Sequence, residues 1–133
     1  MLTEKDYCDY ESSVALKELG YVGICDAYYE LTGNEDYNRD SFELLYTRDF
    51  IHPDDIDRVA APLLYQAQKW MREEKDMNVY VKAFNGEGWY YVIQNYKGAR
   101  IYPPLTRILV LCHSYEEALS EGIKKAVKIL KEK

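Results

Sequence analysis

The feature that most restricts the fold of this chain is a pair of β-rich runs joined by Asn85-Gly86. Asn78-Val-Tyr-Val-Lys-Ala-Phe84 precedes the dipeptide, and Trp89-Tyr-Tyr-Val-Ile-Gln-Asn-Tyr96 follows it. Asn-Gly readily takes the positive φ values that a tight turn between twisted antiparallel strands needs. The runs are therefore expected to form a hairpin. Aromatic residues fall on both faces of the second run and on one face of the first, so burial or contact is expected on each side.

The segments around the hairpin read as its cover. Residues 61–75 place Leu63, Leu64, Ala67, Trp70 and Met71 on one stripe at helical spacing, and Pro62 suits a first helical turn. After the hairpin, residues 97–106 carry Gly98 and Pro103-Pro104 and read as a loop, and Arg107–Cys112 reads as a third strand. Ser114-Tyr-Glu-Glu117 is a capping box. Behind it Tyr115, Leu119, Gly122, Ile123, Ala126, Val127 and Leu130 form one helical face, with Lys124, Lys125, Lys128 and Lys131 elsewhere on the helix. This C-terminal half is ordered α-β-β-β-α.

The first half is less regular. Residues 3–19 have helical spacing, with Thr3 and Asp6 as a cap signal, Ser12 or Ser13 as a second start, and Gly20 as a stop. Residues 21–31 favour an extended chain and residues 32–40 a loop. Residues 41–60 are ambiguous and leave the fold of residues 21–60 open: Ser41–Tyr46 could form a helical turn, and Pro53-Asp54-Asp55 could start another short helix. The expectation is a single globular domain over residues 1–133, of α+β class. A small antiparallel sheet of about three strands would be flanked by helices.

Charge is divided along the chain. Residues 1–60 hold 15 acidic and 5 basic side chains, a net −10, and residues 61–133 hold 8 acidic and 12 basic, a net +4. The overall −6 argues against tight non-specific nucleic-acid binding by the whole molecule, while leaving room for a local basic face. Fourteen tyrosines are spread through the sequence. Tyrosine joins apolar area to a hydroxyl that seeks a partner, which suits half-buried sheets and contact surfaces. Cys8, Cys25 and Cys112 are odd in number and widely spaced, as expected of reduced thiols in a cytoplasmic protein rather than a disulfide framework or zinc site. The charged Leu2-Thr-Glu-Lys-Asp6 does not resemble a signal peptide, and no apolar run approaches a membrane span.

Candidate chemistry is sparse. His52, Asp54, Asp55 and Asp57 offer donors to a divalent ion, but an Asp run beside a proline also makes a capped, solvated turn. Cys112 adjoins His113, yet neighbours on a strand point to opposite faces. No phosphate-binding glycine motif occurs. No catalytic, cofactor-binding or metal-binding residues are assigned, and no cofactor is expected. Trp89, Tyr90 and Tyr91 are the candidate partner-binding aromatics, with Lys124 and Lys128 as candidate basic contacts.

Three resemblances attach to particular stretches. His52-Pro-Asp-Asp-Ile-Asp-Arg-Val59 and Asn85-Gly-Glu-Gly-Trp89 resemble short motifs of PAS sensory domains, although the helical segment between them departs from that pattern. The hairpin, third strand and Ser114-Tyr-Glu-Glu-Ala-Leu119 resemble antitoxins of HicB type. The widest resemblance is to small uncharacterised proteins of Bacteroides-type gut bacteria and their phages. It rests on Ser13–Tyr21 with Tyr28-Tyr29, on Ala61–Glu73, and on Tyr115–Val127. It implies mobile-element ancestry and no particular activity.

These readings lead to a non-enzymatic accessory protein that binds another protein or itself, without a membrane. The alternatives are a nucleic-acid-binding or HicB-like module using the C-terminal sheet and basic helix, and a metal-dependent enzyme around His52, Asp54, Asp55 and Asp57.

Overall fold

The computed structural model describes residues 2–23, 25–30, 43–47, 51–52, 54–104 and 110–132. The chain divides into two compact units, Met1–Leu63 and Leu64–Lys133. The boundary coincides with the charge division, because residues 61–63 are uncharged: the first unit carries 15 acids and 5 bases, the second 8 acids and 12 bases. The class is α+β, with a three-stranded antiparallel sheet in each unit.

In the first unit, Thr3 N–H donates to the Asp6 carboxylate at 2.7 Å and opens a single 3-10 turn, Glu4–Asp6. The helix α1 starts later, at Tyr10–Glu18, where the Asp9 carboxylate accepts from Ser12 N–H. It ends as Gly20 predicts. Gly20 has φ +94°, its N–H reaches Lys17 O, and Tyr21 N–H reaches back to Leu16 O. The sheet has the order β2-β1-β3, from β1 Ala27–Glu30, β2 Leu45–Tyr46 and β3 Arg58–Ala60. Tyr28 pairs with both Leu45 and Ala60.

Two stretches left open by the sequence are decided in this unit. Leu45–Tyr46 is a strand rather than part of a helical turn, because pairing with Ala27 and Tyr28 satisfies its backbone. At Asp55 the chain makes a side-chain-stabilised turn instead of a helix, then enters β3. The expected loop 32–40 lies outside the described residues.

The core of this unit joins Tyr7, Ala27, Tyr29, Leu44, Val59, Ala61 and Leu63. Its tyrosines bury their rings and keep their hydroxyls bonded. Tyr7 Oη donates to Asp26 at 3.0 Å, and Tyr29 Oη donates to Cys8 O at 3.1 Å. Tyr10 meets Tyr29 edge-on at 5.7 Å, and Tyr46 meets Tyr7 at 5.8 Å.

The second unit has the expected α-β-β-β-α order. Helix α2, Leu64–Lys75, buries Leu64, Ala67 and Met71. Strands β4, Asn78–Phe84, and β5, Gly88–Gln94, pair along their whole length. Asn85 and Gly86 take φ +47° and +74° between them, and Glu87 N–H closes the turn on Phe84 O at 2.8 Å. The sheet's third strand, β6, is Arg100–Tyr102, inside the stretch expected to be a loop. Of the expected strand 107–112, residues 107–109 lie outside the described residues, and Cys112 makes an isolated antiparallel bridge with Trp89.

Helix α3, Tyr115–Lys131, buries Ala118, Leu119, Gly122, Ile123, Ala126 and Val127. Ser114 Oγ accepts from Glu117 N–H at 3.1 Å. The Glu117 carboxylate accepts from His113 N–H, one residue before the cap, so the box is displaced by one position. Among the described residues no helix is long and apolar enough to cross a membrane.

Candidate partner-binding surface

The register of the hairpin sorts its aromatic residues. Val79, Val81 and Ala83 stand opposite Ile93, Tyr91 and Trp89, and these six share one face. Helix α3 lies on that face, since Gly122 approaches both Val79 and Tyr91. Tyr80, Lys82, Tyr90 and Val92 belong to the other face.

Trp89 and Tyr91 therefore lie on the helix side, and Tyr90 does not. Trp89 is half-buried, with its ring edge-on to Tyr115 at 5.8 Å. Its backbone is fixed by two bonds, Trp89 N–H to Cys112 O at 3.0 Å and Cys112 N–H to Trp89 O at 2.7 Å. Tyr115 is 40 % exposed, and Val110, two residues before the Cys112 bridge, is 75 % exposed. Tyr91 stacks on Tyr102 at 5.6 Å, and Lys125 Nζ sits 4.8 Å from the centre of the Tyr102 ring. On the opposite face, Tyr90 meets Phe84 edge-on at 6.3 Å, and Lys82 Nζ lies 5.7 Å from the Tyr80 ring centre.

The five residues singled out in the sequence thus do not form one surface. Trp89 is coupled to an exposed neighbour, Tyr91 is absorbed into packing inside its unit, and Tyr90 faces the other way. Lys124 donates to Glu121 at 3.4 Å, while Lys128 is exposed one turn further along α3. Tyr115 and Val110, both exposed, were not among the residues singled out in the sequence as partner-facing. Tyr115 reads as an apolar-face residue by its spacing, whereas in the structure its ring meets Trp89 edge-on and remains partly exposed.

The polar turn of the first unit is occupied by its own contacts. Asp55 Oδ1 accepts from Asp57 N–H and Arg58 N–H, and Asp55 Oδ2 accepts from Arg58 Nε and Nη2 at 3.1 and 3.0 Å. These bonds, the Asp57 N–H foremost, hold the Asp55 carboxyl below its ordinary range. Lys17 Nζ donates to Asp55 O and, at 3.4 Å, to Arg58 O, tying α1 to the turn. His52 Nδ1 accepts from Asp54 N–H at 3.2 Å. Among the described residues, no group of three His, Cys, Asp or Glu side chains could hold a metal ion. A small pocket beside the turn is lined by Ser13, Lys17, Tyr21, His52 and Arg58. Burial pushes the Cys112 thiol up, away from the thiolate that nucleophilic chemistry needs.

No protein-family model matches the chain, and neither does any curated protein or solved structure.

Proposed function

We propose that this chain is a non-enzymatic accessory protein that works by binding another protein or a second copy of itself. The observation that carries the reading is the Trp89–Tyr115 pair, an indole fixed on a strand beneath a phenol ring that is 40 % exposed. Fixed aromatic side chains give contact area at little entropic cost and are favoured where partners meet. The exposed Val110 extends the apolar character of this end of the unit.

The charge division supports the same reading. Two compact units with net charges of −10 and +4 favour encounter between unlike units of two copies, or with a charged partner. The resemblance to small proteins of Bacteroides-type bacteria and their phages fits an accessory role and supplies no chemistry of its own. The Lys124–Glu121 pair weakens the case for a basic nucleic-acid-binding face. The internal bonds of Asp55 weaken the case for a metal-dependent enzyme.

Solution mass by size-exclusion chromatography with light scattering, at low and high salt, tests the proposal. The expected result is a dimer that weakens with salt and that Tyr115→Ala shifts towards monomer. A strict monomer under both conditions that also captures nothing from lysate overturns it.

A further inference from the structure

Among the described residues strand β4 is an edge of its sheet, and two independent contacts fix which of its backbone groups point outward. The N–H and C=O of Trp89 are both engaged by Cys112, on the side of β5 away from β4. Trp89 stands opposite Ala83, so that pair does not exchange ladder bonds with β4. By the alternation of an antiparallel ladder, Val79, Val81 and Ala83 direct their N–H and C=O groups away from β5. The side chain of Gln68 agrees, because its Nε2 donates to Val79 O from outside the sheet at 2.7 Å. Gln68 thus occupies one end of the edge, while Lys82 and Ala83 are exposed at the other.

We infer that Val81–Ala83 is a docking edge for an extended, acidic segment of a partner protein, which joins the sheet as an added antiparallel strand. This rests on the protein-binding reading above and names a site and a partner chemistry for it. Val81 and Ala83 supply up to four backbone bonds, two with each flanking residue of the incoming strand. The incoming residue opposite Lys82 sits in the closely spaced pairing position, on the face shared by Tyr80 and Tyr90.

Charge selects the occupant. A second copy using the same groups would pair about Lys82 and bring the two lysines directly opposite one another, which is unfavourable. A Glu or Asp in that place forms an opposite-charge cross-strand pair. The net +4 of the unit adds attraction for an acidic strand.

The test is an NMR titration of the full chain with the capped peptide Thr-Val-Glu-Val-Thr and its counterpart with Lys at the centre. The Glu-centred peptide is expected to shift the amide signals of Val81–Phe84, and to bind about fivefold more tightly than the Lys-centred one. Lys82→Glu should reverse that preference. Ala83→Pro removes an outward N–H that the hairpin ladder does not use, so it should leave the hairpin paired and weaken the peptide about tenfold or more. If Ala83→Pro does not fold, the Lys82→Glu reversal carries the test alone. Absence of binding, shifts elsewhere, or unchanged preference in Lys82→Glu overturns the inference. So does binding that survives in a folded Ala83→Pro, or a self-association that Ala83→Pro abolishes. Failure of the titration with a salt-sensitive dimer that responds to Tyr115→Ala would remove the β4 edge and leave the protein-binding proposal standing.

Discussion

A β-carbon at Gly122 would lie 2.6 Å from Val79 Cγ1 and 3.0 Å from the first two side-chain carbons of Tyr91, so α3 rests on the hairpin at a distance that only glycine permits. A mid-helix glycine costs about 1 kcal/mol relative to alanine in helix propensity, and the close approach offsets it. Gly122→Ala is expected to lower stability by up to about 2 kcal/mol, the overpacking cost less the propensity gain. Urea denaturation gives the value. Combined with Val79→Ala, which removes the obstructing methyl groups, the loss should be smaller than the two single losses together. Strict additivity would show that the two residues are not coupled.

Ser114→Ala removes the acceptor for Glu117 N–H at the start of α3 and is expected to cost about 1 kcal/mol. Glu117→Ala should cost less than Ser114→Ala, because His113 N–H is exposed and water replaces the lost carboxylate. Thermal unfolding of the two variants ranks them. The reverse order would mean that the Glu117–His113 bond, and not the serine cap, fixes the helix start.

What could be read from the sequence follows from how local each signal is. The hairpin, α2, α3 and the Gly20 stop are specified by residues within a few positions of one another, and all appear where expected. Strand β2 is not legible in the sequence because Leu45–Tyr46 is too short to show a period, and only pairing with Ala27–Tyr28 makes it a strand. Strand β6 was hidden for the same reason, since Arg100–Tyr102 sits among Gly98 and Pro103 and is defined by its partners on β5. At the candidate surface the sequence identifies Trp89 and cannot separate it from Tyr90. The two are adjacent, and the face that each occupies depends on where α3 lies.

The link between α1 and the following turn predicts a second stability effect. Lys17 Nζ gives its hydrogen bonds to two backbone carbonyls, those of Asp55 and Arg58. Lys17→Met keeps the length of the side chain and removes both bonds, and is expected to cost about 1.5–3 kcal/mol. Asp55→Asn should also destabilise, because it replaces a carboxylate that Asp57 N–H, Arg58 N–H and the Arg58 guanidinium all address. Its pH signature follows from the lowered carboxyl. The stabilisation is present above the ordinary carboxylate range and is lost as pH falls through the depressed value. Between pH 5 and acid, the parent should therefore lose stability more steeply than Asp55→Asn, measured by urea midpoint against pH. Parallel curves would refute the assignment.

Tyr7 predicts the opposite behaviour at alkaline pH. Its ring is buried and its hydroxyl donates to Asp26 at 3.0 Å. Burial first, and then the Asp26 carboxylate, push its pKa up to about 12. A tyrosine in the unfolded chain ionises at about 10. Below that value both states keep the proton and the contribution to stability is complete. Between the two values the unfolded chain has released a proton that the folded chain still holds, so stability falls as pH rises. Ionisation in the folded state would set a phenolate against a carboxylate. Tyr7→Phe deletes the hydrogen bond, so at neutral pH it should be less stable than the parent by about 1.5 kcal/mol. Between pH 10 and 12 its curve should descend less steeply, and the two should converge. Cys8, Tyr21 and Tyr29 are also raised by burial and contribute a downward slope common to both proteins. A difference between parent and Tyr7→Phe that stays constant across this window would show that the Tyr7 hydroxyl does not titrate with folding.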